Sequence, residues 1–227
     1  GVDFAALLRI ASSVDGIERA RFTSPHPADM SARDIEAMAD CDKVMPQLHL
    51  PLQSGSDRVL KAMDRGHDME QYRRLVEQVR AAVPDIALST DIIVGFPGES
   101  ESDFEATSAV MDEVGFDHAY MFKYSRRERT RAEDFEETVS EKEKSARLSR
   151  LIDEQQERAG AINERMLGQL TQVLADSPAK KQAGWLAGKN PQYKTVVFDP
   201  HGAAVGELVD VKIEATGPHT LRGQRVA

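Results

Sequence analysis

The sequence predicts an α/β domain whose parallel sheet curves into a full or partial barrel, followed by a small antiparallel β-barrel. Three observations lead there. Through residues 1–125, apolar runs rich in Ile, Val and Phe recur about every 30 to 40 residues with a helical segment in each gap, the spacing of right-handed βαβ crossovers. The predicted strands carry one polar face, whereas a flat parallel sheet covered on both sides is apolar on both. After Gly168 the texture changes to five short β runs in about 60 residues, punctuated by Gly, Pro and Asp.

Taken in order, strands are expected near 18–24, 47–53, 86–94 and 118–125, with helices near 2–13, 31–40, 56–64, 69–82 and 100–114. Ser31 with Asp34, and Ser100 with Asp103, have the Ser-x-x-Asp spacing of a capping box, which fixes two helix starts. Successive residues of a strand point to opposite faces. Leu48, Leu50 and Leu52 therefore oppose Gln47, His49 and Gln53, and Ile86, Leu88, Ile92 and Val94 oppose Ala87, Ser89, Asp91 and Ile93. A hydrophilic face on adjacent strands is the lining of a concave, ligand-filled interior. Residues 126–139 are charged and aperiodic, hence a connection. A long helix begins at Ser140, capped with Glu143, and Leu148, Leu151, Ile152, Ala159 and Ile162 form its apolar stripe. The expected boundaries are 1–139, a connecting helix over 140–163, and a terminal barrel over 164–227.

Composition narrows the function. No window approaches the roughly 18 apolar residues of a membrane span, and the opening GVDFAALLRIASS lacks the layout of a secretion signal, so a cytoplasmic protein without a membrane partner is expected. A single cysteine, Cys41, excludes an internal disulfide and any site needing three thiolates from this chain. The formal net charge of -9 is uneven: residues 165–227 carry eight Lys/Arg against five acids, while the remainder carries 21 against 33. A polyanion is expected to prefer the tail.

Four strings and a fifth in the tail point further: RFTSPHP (21–27), LHLPLQSGSDRVLKAM (48–63), LSTDIIVGFPGESESDF (88–104), AYMFKYS (119–125) and KTVVF (194–198). Together, in this order, they resemble the radical S-adenosylmethionine (SAM) methylthiotransferases over nearly the whole chain. Within that family they most resemble the members that place a methylthio group on isopentenyladenosine beside the tRNA anticodon. The resemblance implies a radical-SAM partial barrel, here its last strands, followed by the OB-like RNA-binding barrel called TRAM. It implies SAM, two 4Fe–4S clusters and tRNA as cofactors and partner. It also implies a cluster domain and a cluster loop, C-x-x-x-C-x-x-C, in an N-terminal portion that this sequence does not contain, so this chain alone is expected to be inactive. The family chemistry is reductive SAM cleavage, hydrogen abstraction from an adenosine carbon, sulfur insertion and methylation.

Site residues follow from the same motifs. In GFPGE, Gly95 and Phe96 are expected to border the adenosine of SAM, with glycine letting backbone approach a ligand. Gln53, Ser54 and Gly55 of QSGS supply amide and hydroxyl groups at a polar strand end. Ser24 and His26 lie in SPHP, a rigid turn at the end of a predicted strand. Asp91 is a carboxylate aimed inward, with Arg65 or Arg21 as its cation. In the tail, Lys189, Lys194 and Arg222 are the expected RNA contacts, Tyr193 is a candidate base-stacking ring, and Phe198 is expected in the core. No catalytic residue and no metal ligand is assigned. One departure stands out: family members carry a Pro- and Gly-bearing turn of the form YSPRPGTPA where this chain reads YSRRERTRA (124–132), leaving Arg126, Arg127, Arg129 and Arg131 in a loop whose conformation the resemblance does not determine. Two other readings stay open: a sister enzyme acting on threonylcarbamoyladenosine or a ribosomal protein, and a non-catalytic RNA-binding protein.

Overall fold

A computed structural model describes residues 1–23, 26–128 and 130–226. The chain divides into two units, Gly1–Gln155 and Gln156–Ala227, with the boundary inside one long helix.

The first unit runs α1 (Phe4–Ser13), α2 (Ala32–Asp40), β1 (Gln47–His49), α3 (Asp57–Ala62), α4 (Met69–Ala82), β2 (Ala87–Val94), α5 (Glu101–Val114), β3 (His118–Lys123) and the start of α6 (Glu141–Glu164). The capping boxes at Ser31/Asp34 and Ser100/Asp103 are both formed, and α4 has a third from Asp68 and Gln71. Ser140 accepts from the Glu143 amide at 3.2 Å at the start of α6. The sheet is parallel in the order β1-β2-β3, with Leu48 opposite Leu88 and Asp91 opposite Tyr120. One face is buried: Leu48, Leu50, Leu52, Leu88, Ile92 and Val94 join Tyr72, Phe104, Met111 and Phe116 in a core under the helices. Each such side chain contributes about 1.5–3 kcal/mol. Thr90 shares that face, and its hydroxyl donates to the Leu50 carbonyl at 2.8 Å while accepting from the Leu52 amide at 2.9 Å.

Two strand expectations need correction. Of the expected strand over 18–24, the described residues 18–23 form no strand and pair only at Ala20 with Val44. Pro46 has no amide to donate, and the Gln47 amide turns back onto the Met45 carbonyl at 2.8 Å, so the ladder stops. The strand expected over 47–53 ends at His49 for a related reason: Pro51 breaks the donor series, and pairing resumes only as a bridge between Gln53 and Ile92.

The second unit is a closed barrel of β4 (Leu170–Pro178), β5 (Leu186–Lys189), β6 (Thr195–Asp199), β7 (Leu208–Thr216) and β8 (Leu221–Arg225), in the order β4-β5-β6-β8-β7. Four ladders are antiparallel, as expected of a small antiparallel barrel, and the β6–β8 ladder that closes it is parallel. Five strands closed in a ring cannot alternate direction throughout, so at least one neighbouring pair must run parallel. Val173, Val196, Phe198, Val209, Val211, Ile213 and Leu221 fill the interior. Gly188 and Gly223 face inward where strands cross so closely that a Cβ would stand 2.1 Å from the Leu174 and Lys212 carbonyl oxygens respectively. No helix among the described residues is long and apolar enough to cross a membrane.

Candidate functional site

A cavity of about 600 Å³ opens beside the carboxyl ends of β2 and β3, and Gln53, Arg65, Asp91 and Phe96 all line it. In open and closed parallel α/β sheets alike, this end is where ligands bind. Ile93, Met63, Phe122 and Tyr124 add apolar and aromatic wall, and Lys123, Arg127 and Arg131 add positive charge. The cavity therefore joins two carboxylates, Asp91 and Asp64, the latter paired with Arg131 at 3.0 Å, with a buried amide, cations and aromatic surface.

Each polar residue is held by a recognisable local device. Gln53 is buried and adopts φ +72°, in the left-handed region that non-glycine residues enter at a cost of about 1–2 kcal/mol. Two backbone hydrogen bonds hold it there, its amide to the Asp91 carbonyl at 2.8 Å and the Ile93 amide to its own carbonyl at 2.9 Å. Such positions concentrate at binding sites. Asp91 lies 3.4 Å from Nε2 of His49, whose Nδ1 meets the Ser89 hydroxyl at 2.9 Å. Burial lowers the pKa of Arg65, and the field of Asp91 opposes that shift, so the two side chains are electrostatically coupled. Arg21 turns instead to the Gln47 side chain at 3.4 Å. Of the two cations expected for Asp91, Arg65 thus shares its cavity, while its direct contact is His49.

The rest of the expected set sits behind the cavity or away from it. The Ser54 hydroxyl lies 3.3 Å from that of Thr107, and the Gly55 amide donates to the same Thr107 oxygen at 2.9 Å. A Cβ at Gly55 would stand 2.6 Å from the α5 backbone, so this glycine seats the QSGS turn on the helix. Ser56 continues the anchorage by donating to Asp103 at 2.6 Å. His26 caps the short turn Pro27–Asp29, its Nδ1 accepting from the Ala28 amide at 3.2 Å, with its ring 5.6 Å from that of His67. Ser24, Pro25 and Arg129 lie outside the described residues.

The GFPGE turn divides its work between two directions. Phe96 faces the cavity and packs edge-on against Tyr124 and Phe135, with centroids 5.2 and 6.1 Å away. Gly95 faces the other way: at φ +73° a Cβ would stand 2.3 Å from Cγ of Lys144 in α6. The Gly95 amide donates to the Glu99 carboxylate at 2.7 Å, and Glu99 pairs with Arg147 of α6 at 2.7 Å. Lys144 is itself buried and pairs with Glu137 at 2.9 Å and Glu141 at 3.1 Å. His49, Glu99, Lys144 and Arg147 carried no role in the sequence reading. A signal for the last two was present, because Lys144 and Arg147 share the helical spacing of the buried Leu151 and Gln155, and cations on a helix stripe need partners.

In the barrel, Lys189 and Arg222 point outward and Lys194 does not share their face. Antiparallel and parallel partners project to the same side, so Lys189 with Thr195, and Ala187 with Val197 and Arg222, lie on the outer surface of β5, β6 and β8. Lys194 instead donates to the buried Asn163 side chain at 2.8 Å.

Residues 1–110 match the family described as the Radical SAM superfamily. Across 99% of its length the chain is 46% identical to the tRNA-2-methylthio-N(6)-dimethylallyladenosine synthase of Magnetococcus marinus, covering 51% of that protein. Enzymes of the same name from Alkaliphilus oremlandii and Stenotrophomonas maltophilia are 44% and 42% identical over 98% and 99% of the chain, with 47% and 48% of their own lengths covered. Over nearly its whole length the chain is thus similar to radical-SAM methylthiotransferases. It spans about half the length of the curated relatives it matches. Among solved structures, coproporphyrinogen III oxidase from Escherichia coli superposes with a TM-score of 0.52 over 62% of this chain and 32% of its own, at 17% identity, a likeness of fold alone. The first unit is accordingly a radical-SAM partial barrel, and the second a TRAM-type, OB-like barrel. The residues present do not fit an iron–sulfur cluster. Cys41 is the one cysteine and is buried, and the described residues hold no group of three or more His, Cys, Asp or Glu able to bind a metal.

Proposed function

We propose that this chain provides the SAM-binding wall and the RNA-binding barrel of an enzyme that converts isopentenyladenosine in tRNA to its 2-methylthio derivative. The observation that carries this reading is the convergence of Gln53, Arg65, Asp91 and Phe96 on one cavity at the carboxyl end of a parallel sheet, in a chain similar end to end to enzymes named for that reaction. When bound, SAM supplies the hydrogen-abstracting and methyl-donating chemistry. The chain's own residues bind and orient it. In this reading Arg65 meets its carboxylate, and Asp91, steadied by His49, accepts from its amino group or ribose hydroxyls. Gln53 offers an amide in a fixed orientation, and Phe96 with Tyr124 gives an aromatic wall that excludes water from the adenine side. The outward cations Lys189 and Arg222 add sequence-independent attraction for phosphate, and Lys194 adds charge to the same unit.

Nucleoside analysis tests the reading. Bulk tRNA from cells lacking the gene is expected to accumulate isopentenyladenosine without its methylthio derivative. The intact gene restores the derivative, and alleles carrying Arg65→Met or Asp91→Asn do so poorly. Unchanged methylthiolation after gene loss, or loss of the methylthio form of threonylcarbamoyladenosine instead, rejects it.

A further inference from the structure

The outer face of β5, β6 and β8 carries two aromatic rings, each covered by a cation. The Arg222 guanidinium lies 5.2 Å from the Trp185 ring centroid and donates to Gln182 at 2.7 Å. The Lys189 ammonium lies 4.6 Å from the Tyr193 ring centroid and donates to Thr195 at 2.7 Å. Ala187 and Val197 form the low floor between them, since Ala187 pairs with Val197 and Val197 with Arg222. Two interstrand steps and one two-residue repeat separate Lys189 from Arg222, a diagonal of about 12 Å.

Tyr193 is displayed by a strained hairpin. Its φ of +65° is uncommon for an aromatic residue, and the turn is held by its amide on the Asn190 carbonyl at 3.0 Å and by the Lys194 amide on the buried Asn190 side chain at 2.8 Å. The result is a half-exposed ring beside a cation, within the more basic part of the chain.

We infer that Trp185/Arg222 and Tyr193/Lys189 form a two-point stacking platform for unpaired nucleobases, so that the barrel takes single-stranded RNA in preference to duplex. The inference rests on the proposed RNA-binding role of the barrel and names how that surface recognises its partner. Duplex offers phosphates and 2′-hydroxyls but keeps its base faces stacked inside, whereas unpaired bases present π-faces that rings and guanidinium planes stack on without sequence preference.

The chain's single tryptophan makes the test direct. The whole chain is titrated with a short single-stranded RNA and with a blunt duplex of the same sequence, following Trp185 emission and, separately, RNA anisotropy. Single-stranded RNA is expected to bind more tightly and to quench Trp185. Trp185→Ala and Tyr193→Ala are each expected to weaken it roughly 5- to 100-fold, while Trp185→Phe, which keeps a ring, binds nearly as the parent. RNA binding with unchanged Trp185 emission and undiminished affinity in Trp185→Ala and Tyr193→Ala, or tighter binding of duplex, overturns the platform while leaving an RNA-binding barrel. Absence of binding to either RNA removes the RNA role itself.

Discussion

The Arg147 guanidinium donates to the Glu99 carboxylate at 2.7 Å, with side chains only 5% and 1% exposed, and so fastens α6 to the turn that carries Phe96 into the cavity. Arg147 also reaches Glu101 at 3.1 Å and Glu143 at 2.5 Å, so Glu99 is the buried member of a small acidic ring around one cation. Removing one partner of a buried pair strands the other, at a cost of about 3–5 kcal/mol. Arg147→Met is expected to destabilise the first unit by that amount, and Glu99→Gln combined with Arg147→Met by less than the sum of the two. Amide exchange reads this at Gly95, whose N–H is held by Glu99. Additive losses with Gly95 protection intact mean the pair does not act as a clamp.

The pH dependence has two opposing parts. Desolvation works to raise the pKa of Asp103, but hydrogen bonds from Arg58, Ser100 and Ser56 outweigh it and hold the carboxyl well below its usual range. A depressed folded-state value gives stability that is complete above the unfolded value, near 3.8, and is lost as pH falls through the folded one. Glu99 has the reverse sign. Burial raises its pKa above the ordinary 4.5 despite the Gly95 amide and Arg147, so its contribution is present below that value and lost as pH rises through the folded one. Urea midpoints measured across the acid range are expected to fall less steeply with acidification in Asp103→Asn than in the parent. Parallel curves would show that Asp103 is not depressed.

Gly95→Ala combines two penalties that a second substitution separates. The left-handed φ of +73° costs roughly 1–2 kcal/mol for any side chain, and the clash with Lys144 adds roughly 1–3 kcal/mol of overpacking. Adding Lys144→Ala relieves the contact without touching the backbone. Partial rescue is therefore expected in thermal melts; complete rescue means the φ contributes nothing, and none means the contact is not the cause.

Inside the barrel, Gly188→Ala and Gly223→Ala drive a methyl against carbonyl oxygens that belong to the β-ladders and cannot rotate away. Each is expected to lose at least about 3 kcal/mol, beyond ordinary overpacking. Trp185, the only tryptophan, reports the unfolding of this unit by its emission. Alanine variants with parental midpoints would mean that the strands cross less tightly than 2.1 Å implies.

On the proposed reading, the cavity residues are expected to differ in how they hold SAM. Loss of a charge-assisted contact is worth about 1.5–3 kcal/mol, so Arg65→Met and Asp91→Asn should each weaken binding about 10- to 150-fold by calorimetry. His49→Phe, which removes a support and not a ligand contact, is expected to weaken it less. Equal affinity in all three variants places the cofactor elsewhere.

Local order was largely readable from the chain. The caps at Ser31 and Ser100, the period-two alternation of β1 and β2, and the five β runs after Gly168 depend on residues a few positions apart, and those interactions survive in any context. The same alternation aimed Asp91 and Gln53 into one cavity. What escaped was long-range. Residues 18–24 have strand composition, but a strand needs a neighbour whose amides are available, and Pro46 with the turned Gln47 withdraws them. The glycine at 95 reads locally as room for a ligand, yet the group occupying that room is Lys144, forty-nine positions on. His49 became the contact of Asp91, in place of Arg21, because parallel register sets which residues of β1 and β2 adjoin, and register is a property of the packed sheet. Sequence periodicity thus specified the elements and their buried faces, whereas the partners of each buried charge were decided only when desolvation in the assembled core forced Arg147 onto Glu99 and Lys144 onto Glu137 and Glu141.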